Sequence, residues 1–262
     1  MTNYGIVCIS KENTVGLART VNSILAQCYR DYFVVFVISN FTSADLSVIS
    51  TLPDNKYCII KDCDFSLYDA MNLGMFYLRS NVKYISFLNA GDEYASFDVL
   101  STINDQILAS SANPEYIFGA TIISGNGPTY LSRSNRKFFP STNVDYPIHQ
   151  SCFFSSELLG GFCYPNFLHY SADLYLMEYA FVNSSVVLML PQVIVSRFNR
   201  EGGISSLPNG RKSRSLDAIR AALISIISFG ISSRLVSLLF VSSVIAIHSS
   251  FCSIIKPMGN KL

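Results

Sequence analysis

Asp92 is the residue on which chemistry is most readily built. It stands one position after Gly91 and follows an apolar, strand-like run at 83–88. A carboxylate at the end of a buried strand is costly without a partner. A divalent cation bridging a diphosphate would be such a partner, because hard oxygen ligands suit Mg2+ or Mn2+. The plain alternative is an N-cap for a helix over 97–110, but Ser96 stands in place for that role. Asp92 is therefore read as a metal ligand.

Three further groups carry polar side chains where a ligand would meet them. Asp62-Cys63-Asp64 closes a third strand. Its carboxylates suit a nucleotide base or ribose, and equally an ordinary loop. Tyr68-Asp69-Ala70-Met71-Asn72 opens a helix. A negative charge is favourable there, Asn72 shares the face of Asp69, and composition alone makes the group a capping arrangement. His149-Gln150 is followed by Asp173 behind Ser171 and Ala172. Asp173 either opens a helix structurally or acts as a general base toward an acceptor hydroxyl. A Walker-type loop, a GxGxxG run and a serine-nucleophile elbow are all missing.

These residues need elements to hold them. Runs at 5–10, 32–39, 56–60, 83–88 and 115–123 read as strands, and 17–27, 42–50, 66–79 and 97–110 as helices. The alternation predicts an α/β sandwich with a largely parallel sheet. The run 32–39, apolar on both faces, suits its centre. Ligands in such sheets bind outside the carboxyl ends of the strands. That rule picks out Ser39, Asn40, Asp62, Asp64 and Asn89 to Asp92. Residues 125–147 read as a loop or irregular hairpin, 149–154 as a short element, 171–181 as a helix, 186–195 as a strand and 197–214 as a linker.

Composition narrows the function classes. The 262 residues are 50% hydrophobic and 14% charged, with mean hydropathy +0.33. A disordered chain is excluded. The net charge of +1 argues against a whole-chain nucleic-acid footprint. The average hides a split: residues 1–196 hold 10 basic and 16 acidic residues, and 197–262 hold 9 basic and 2 acidic. The basic part includes Arg211, Lys212, Arg214 and Arg220, just before the apolar stretch 221–255, which Arg234 alone interrupts and which is uncharged over 235–255. That segment suits an interfacial helical hairpin at anionic headgroups, a membrane span, or a helix pair closing the sheet or a dimer interface. Seven cysteines without a CxxC argue against a zinc knuckle or disulfide scaffold, and most are expected to be buried small hydrophobes. The opening residues are not expected to act as a signal peptide, because charged Lys11 and Glu12 follow with no long apolar stretch before them.

Five stretches together resemble family 2 glycosyltransferases of the GT-A fold. They are the 5–32 opening with Asn13, Thr20, Ser23, Ile24 and Gln27; Asp64-Phe-Ser-Leu-Tyr-Asp-Ala-Met-Asn-Leu-Gly74; Leu88-Asn-Ala-Gly-Asp92; His149-Gln-Ser-Cys-Phe-Phe154; and Gly202-Gly-Ile-Ser205. The nearest likeness is to the subgroup building bacterial exopolysaccharides such as colanic acid, or O-antigens, whose DxGIYDAMNKG, LNSGD and HQxxFF stretches these resemble. The resemblance implies a Rossmann-like, mainly parallel mixed sheet flanked by helices, with the transferase domain at 1–205 and a basic linker and apolar helical tail at 206–262. It implies metal-assisted, inverting transfer from a nucleotide-diphosphate sugar to a lipid-linked or oligosaccharide acceptor, at the cytoplasmic face of the bacterial inner membrane. Asp92 would hold Mg2+ or Mn2+, and Asp173 would be the general base. Ser39, Asp64, Tyr68, Asp69, Asn72, Asn89, His149 and Gln150 would line the substrates, with Asp64 beside the base.

The chain also departs from the pattern. Ser39 stands where the family places an aspartate at the end of the second strand, and Asp45 falls one position past that motif's second aspartate. Ser66 replaces a glycine and Leu73 a lysine. Two other classes compete: a nucleotidyltransferase, disfavoured by the lack of a glycine-rich basic signature near the N-terminus, and a catalytically degenerate membrane-attached scaffold, favoured by Ser39.

Overall fold

The computed structural model describes residues 1–62, 66–125, 128–134, 147–169 and 172–199. The first half alternates strand and helix: Thr2–Lys11 (β1), Thr14–Leu25 (α1), Tyr32–Ser39 (β2), Ser43–Ile49 (α2), Tyr57–Asp62 (β3), Leu67–Leu78 (α3) and Val82–Phe87 (β4). Then come Glu93–Tyr94 (β5), Val99–Ala109 (α4), Tyr116–Ser124 (β6) and Tyr130–Ser132 (β7). A 3-10 turn at His149–Ser151 leads into Cys152–Ser155 (β8), Ser156–Leu159 (α5), Ala172–Asn183 (α6) and Val187–Asn199 (β9).

Strands β1 and β2 are apolar on both faces because helices cover both. Side chains alternate along a strand. Val7, Ile9, Val35 and Val37 enter a core with α3, α5 and α6. Tyr4, Ile6, Cys8, Val34 and Phe36 enter a second core with α1, α2 and α4. Gly74 permits the close seating of α3 on β1: a Cβ there would lie 2.5 Å from Val7 Cγ1.

The strand order is β3-β2-β1-β4-β8-β6-β9-β5, with β7 beside β6. β3, β2, β1 and β4 are parallel, as expected. The other half is mixed: β8 runs antiparallel to both β4 and β6, β9 parallel to β6, and β5 antiparallel to β9. The sheet is therefore less parallel than the strand–helix alternation implies. It also curls. Four strand steps separate β4 from β5, about 19 Å in a flat sheet. Yet Ser86 Oγ on β4 and Tyr94 Oη on β5 lie 3.1 Å apart in a hydrogen bond. The curl brings β9 back to the carboxyl end of β4, where Asp92 lies.

Several expectations are corrected. The helix expected over 97–110 begins at Val99, and Ser96 does not cap it. Ser96 Oγ instead donates to Asp98 Oδ1 at 2.5 Å, and Asp98 at the N-cap position makes no capping bond. The Leu100 amide is satisfied from a distance by Gln27 Oε1, two residues past α1, at 3.1 Å. The described part of 125–147 includes β7, paired antiparallel to β6, which agrees with the irregular hairpin among its two expected readings. Of the five described cysteines only Cys8 and Cys152 are buried, while Cys28 and Cys163 are exposed. No helix among the described residues is long and apolar enough to cross a membrane. The 202–205 stretch, the tail at 206–262 and Asp64 all lie outside the described residues.

Candidate active site

The carboxyl ends of β1, β2 and β4 meet at one edge. Leu88 and Ala90 extend β4 by donating to the carbonyls of Val7 and Ile9, each at 2.9 Å. The chain then turns, with the Asp92 amide donating to the Asn89 carbonyl at 2.9 Å. Gly91 makes the turn at φ +111°, a conformation L side chains rarely adopt. The turn leaves Asp92 only 5% exposed. Gln150 Nε2 donates to its Oδ2 at 3.0 Å. Burial nevertheless dominates and raises the Asp92 pKa to about 7, against the lowering effects of Gln150, the Asn199 backbone N–H and the Arg19 charge. This carboxylate is under-compensated.

Beside it, Asn89 Oδ1 is buried with no hydrogen-bond partner. Ser10 Oγ, one residue before the end of β1, is in the same state. Buried orphan oxygens are rare and ask for an explanation. A carboxylate and an orphan amide oxygen within one turn fit a hard dication sharing its remaining positions with water and phosphate oxygens. Among the described residues, no group of three His, Cys, Asp or Glu side chains could hold a metal by itself. The turn thus suits a cation that arrives with its substrate better than a closed protein cage.

The 3-10 turn sends its two expected site residues in different directions. Gln150 reaches Asp92. His149 turns inward instead: it is 4% exposed, stacks on Phe87 at 4.8 Å between centroids, and shares a 2.9 Å hydrogen bond between Nε2 and Tyr164 Oη. It is a packed pivot in this structure rather than a group lining an open cleft. Burial lowers its pKa to about 3. The unfolded value is about 6.5. The folded pKa is thus depressed, so the associated stability is present above pH 6.5 and is lost as pH falls toward 3. Relative to His149→Gln, which does not titrate, the wild type should lose about 2 kcal/mol of unfolding free energy between pH 7.5 and pH 5. Urea denaturation at both pH values checks this, and equal losses in the two proteins would show that the imidazole is not buried neutral.

Tyr164 joins the two halves of the site, and nothing in the sequence singled it out. Its ring lies 5.2 Å from that of Tyr68. Tyr68 Oη in turn donates to Asp173 Oδ1 at 3.2 Å. A continuous run of contacts therefore leads from Asp92 through Gln150, His149, Tyr164 and Tyr68 to Asp173. Asp173 is half-buried in the first turn of α6. Burial raises its pKa above the ordinary carboxylate value, opposed by the Leu174 amide and the Tyr68 hydroxyl. The only local hint of Tyr164 was Pro165, which favours an extended residue before it.

The other expected site residues are engaged within the fold. Asn72 clamps the Tyr164 backbone, with Nδ2 donating to its carbonyl at 3.0 Å and Oδ1 accepting its amide at 2.8 Å. Asp69 forms a capping box with Ser66, accepting from Ser66 Oγ at 2.6 Å. Asp69 thus takes the capping role that composition alone favoured for this group, whereas Asn72 caps nothing and holds Tyr164 instead. Asp45 is held likewise by Thr42 and by Thr14 Oγ1 at 2.6 Å. Ser39 is buried at the end of β2, in register with Lys11 of β1 and Asp62 of β3.

The S. aureus TarS 1-349 structure in complex with UDP-GlcNAc matches with a TM-score of 0.66 at 12% identity, over 90% of this chain and 70% of that one. Against the longer S. aureus TarS structure the TM-score is 0.66 at 11% identity, and the chain spans 42% of its length. The mannosyltransferase PcManGT from Pyrobaculum calidifontis, in complex with GDP-Man and Mn2+, matches with a TM-score of 0.63 at 13% identity, over 99% of this chain and 76% of that one. At these identities the likeness shows a shared fold. No protein-family model and no curated protein sequence matches the chain.

Proposed function

We propose that the protein transfers a sugar from a nucleotide-diphosphate donor to a hydroxyl of a saccharide acceptor, with divalent-metal assistance and inversion. One observation carries this: a buried, under-compensated carboxylate, Asp92, shares the carboxyl edge of the sheet with the orphan oxygens of Asn89 and Ser10. The complexes of UDP-GlcNAc with TarS, and of GDP-Man and Mn2+ with PcManGT, support a donor of that class on this fold.

Asp92 and Asn89 would hold Mg2+ or Mn2+. When bound, the ion supplies positive charge to the diphosphate leaving group. Ser39, and Asp64 where the family resemblance places it, would face the nucleoside. Asp173 accepts the proton of the acceptor hydroxyl as that oxygen bonds to the anomeric carbon. The bond from that carbon to the diphosphate oxygen breaks with its electron pair, and nucleoside diphosphate departs. Tyr68 holds Asp173 in place and favours its charged form. The acceptor is a lipid-linked or oligosaccharide chain of bacterial surface polysaccharide synthesis. The segment 206–262, with its basic residues ahead of an uncharged run, would keep the transferase domain at the inner-membrane surface.

The test offers a panel of UDP- and GDP-sugars to the purified full chain with Mg2+ or Mn2+, in detergent with a lipid-linked acceptor extract. Metal-dependent release of nucleoside diphosphate from one donor is the expected result. No metal-dependent binding of any nucleoside diphosphate would overturn the reading in favour of a scaffold.

A further inference from the structure

Helix α1, with its N-cap Asn13 and with Gln27 just past its end, carries a polar stripe at helical spacing, and the members of that stripe bond in order to the segment that follows β4. Asn13 caps the helix through Oδ1, which accepts from Gly16 N at 3.0 Å, and its Nδ2 donates to the Ala90 carbonyl at 3.0 Å. Thr20 Oγ1 accepts from Gly91 N at 2.9 Å and lies 2.7 Å from the Asp92 carbonyl and 3.1 Å from that of Asn89. Ser23 Oγ accepts from Tyr94 N at 3.2 Å. Gln27 bonds to the Ser96 carbonyl at 2.7 Å and the Leu100 amide at 3.1 Å. A buried helical threonine ordinarily spends its hydroxyl on the carbonyl one turn back. Here Gly16 O is the more distant choice, at 3.2 Å. A hydroxyl has one hydrogen and two lone pairs. The shortest contact takes the hydrogen to the Asp92 carbonyl, while the oxygen accepts from Gly91.

Each residue of the 89–92 turn is thus in hydrogen-bond reach of α1. The Asp92 carboxylate is held separately, by Gln150. The backbone of Asp92 is fixed by one helix and its side chain by the 3-10 turn, so the carboxylate is held from both ends. We infer that Thr20 and Asn13 are positioning residues that aim Asp92 and Asn89 at a divalent cation. This rests on the reading of Asp92 as a metal ligand given above.

The test is Mn2+ affinity of the folded full chain with UDP or GDP present, read from free Mn2+ by electron paramagnetic resonance at least ~10 °C below each variant's melting temperature. Groups that orient a metal ligand are worth about 10–100-fold in metal affinity. Thr20→Val should weaken Mn2+ binding by about tenfold or more, whereas Thr20→Ser, which keeps the hydroxyl, should stay within about threefold of wild type. Asn13→Ser keeps a helix cap but no longer reaches Ala90, and should weaken binding by about threefold or more. Ser23→Ala removes a bond of the same stripe beyond Asp92; it should lower the melting temperature and leave Mn2+ affinity unchanged. A folded Thr20→Val with wild-type affinity, beside an Asp92→Asn protein that has lost it, overturns this inference alone. If Thr20→Val does not fold, unchanged affinity in Asn13→Ser does the same. Wild-type Mn2+ affinity in Asp92→Asn overturns the metal-ligand reading and this inference together.

Discussion

Asp92→Asn should lose sugar transfer by about 10³-fold, the scale of removing one preorganised electrostatic group at a developing charge, while becoming no less stable than the wild type. The two effects have one cause. Asn has nearly the same shape and still accepts the bond from Gln150, but it carries no charge to hold a dication. In the wild type, burial raises the Asp92 pKa from 3.8 to about 7. A carboxylate whose folded pKa lies above its unfolded value contributes stability at low pH that is lost as pH rises. Without divalent cations, wild-type stability should therefore fall relative to Asp92→Asn from about pH 4 to pH 7 and stay level above. The difference is of order a few kcal/mol. Urea midpoints of both proteins across that range, and donor turnover at pH 7.5 with Mn2+, measure the two halves. Wild-type turnover in Asp92→Asn would remove Asp92 from the mechanism. A pH-independent stability difference would show that its charge is compensated after all.

Asp173→Asn should reduce kcat by about 10²–10⁴-fold, the usual range for a general base, and leave metal-dependent donor binding intact. It lies at the far end of the contact run from Asp92, so loss of the base should not disturb the cation. Burial holds its pKa above the ordinary carboxylate value. The acid limb of the kcat/KM profile should accordingly stand higher than for an exposed aspartate. The Tyr68 hydroxyl bonds to the carboxylate and lowers that pKa. Tyr68→Phe should move the acid limb further up in pH, with a smaller loss of rate at alkaline pH than at neutral. An acid limb that moves down, or an Asp173→Asn enzyme with full kcat, would assign the proton to another group.

Local chemistry made much of this legible. β2 lies where an unbroken apolar run placed it, and α3 and α6 lie within two residues of their expected ends. Asp92 could be singled out because a charged residue after a buried strand contradicts its surroundings. The capping role of Asp69 was legible as a negative charge opening a helix, and the structure adds Ser66 as its capping-box partner. His149 and Asn72 were harder. Polar residues in a motif look alike whether they face a ligand or a neighbouring backbone, and only their partners tell the two apart. His149 finds Tyr164 Oη, and Asn72 finds the Tyr164 backbone. The helix start at Val99 was missed because its capping partner, Gln27, is 73 residues from the amide it satisfies.

The sequence by itself determined the parallel half of the sheet, the helices that cover it, and a buried carboxylate, Asp92, past the carboxyl end of β4. Those depend on periodicity and on the cost of burying charge, both properties of short stretches of chain. The tertiary structure alone decided the mixed half, the curl that returns β9 to Asp92, and the link from Gln150 through Tyr164 to Asp173. Each of these is a pairing between segments far apart in the chain. Many partners satisfy the same hydrogen-bonding need, so residue type leaves the choice open until the whole sheet closes.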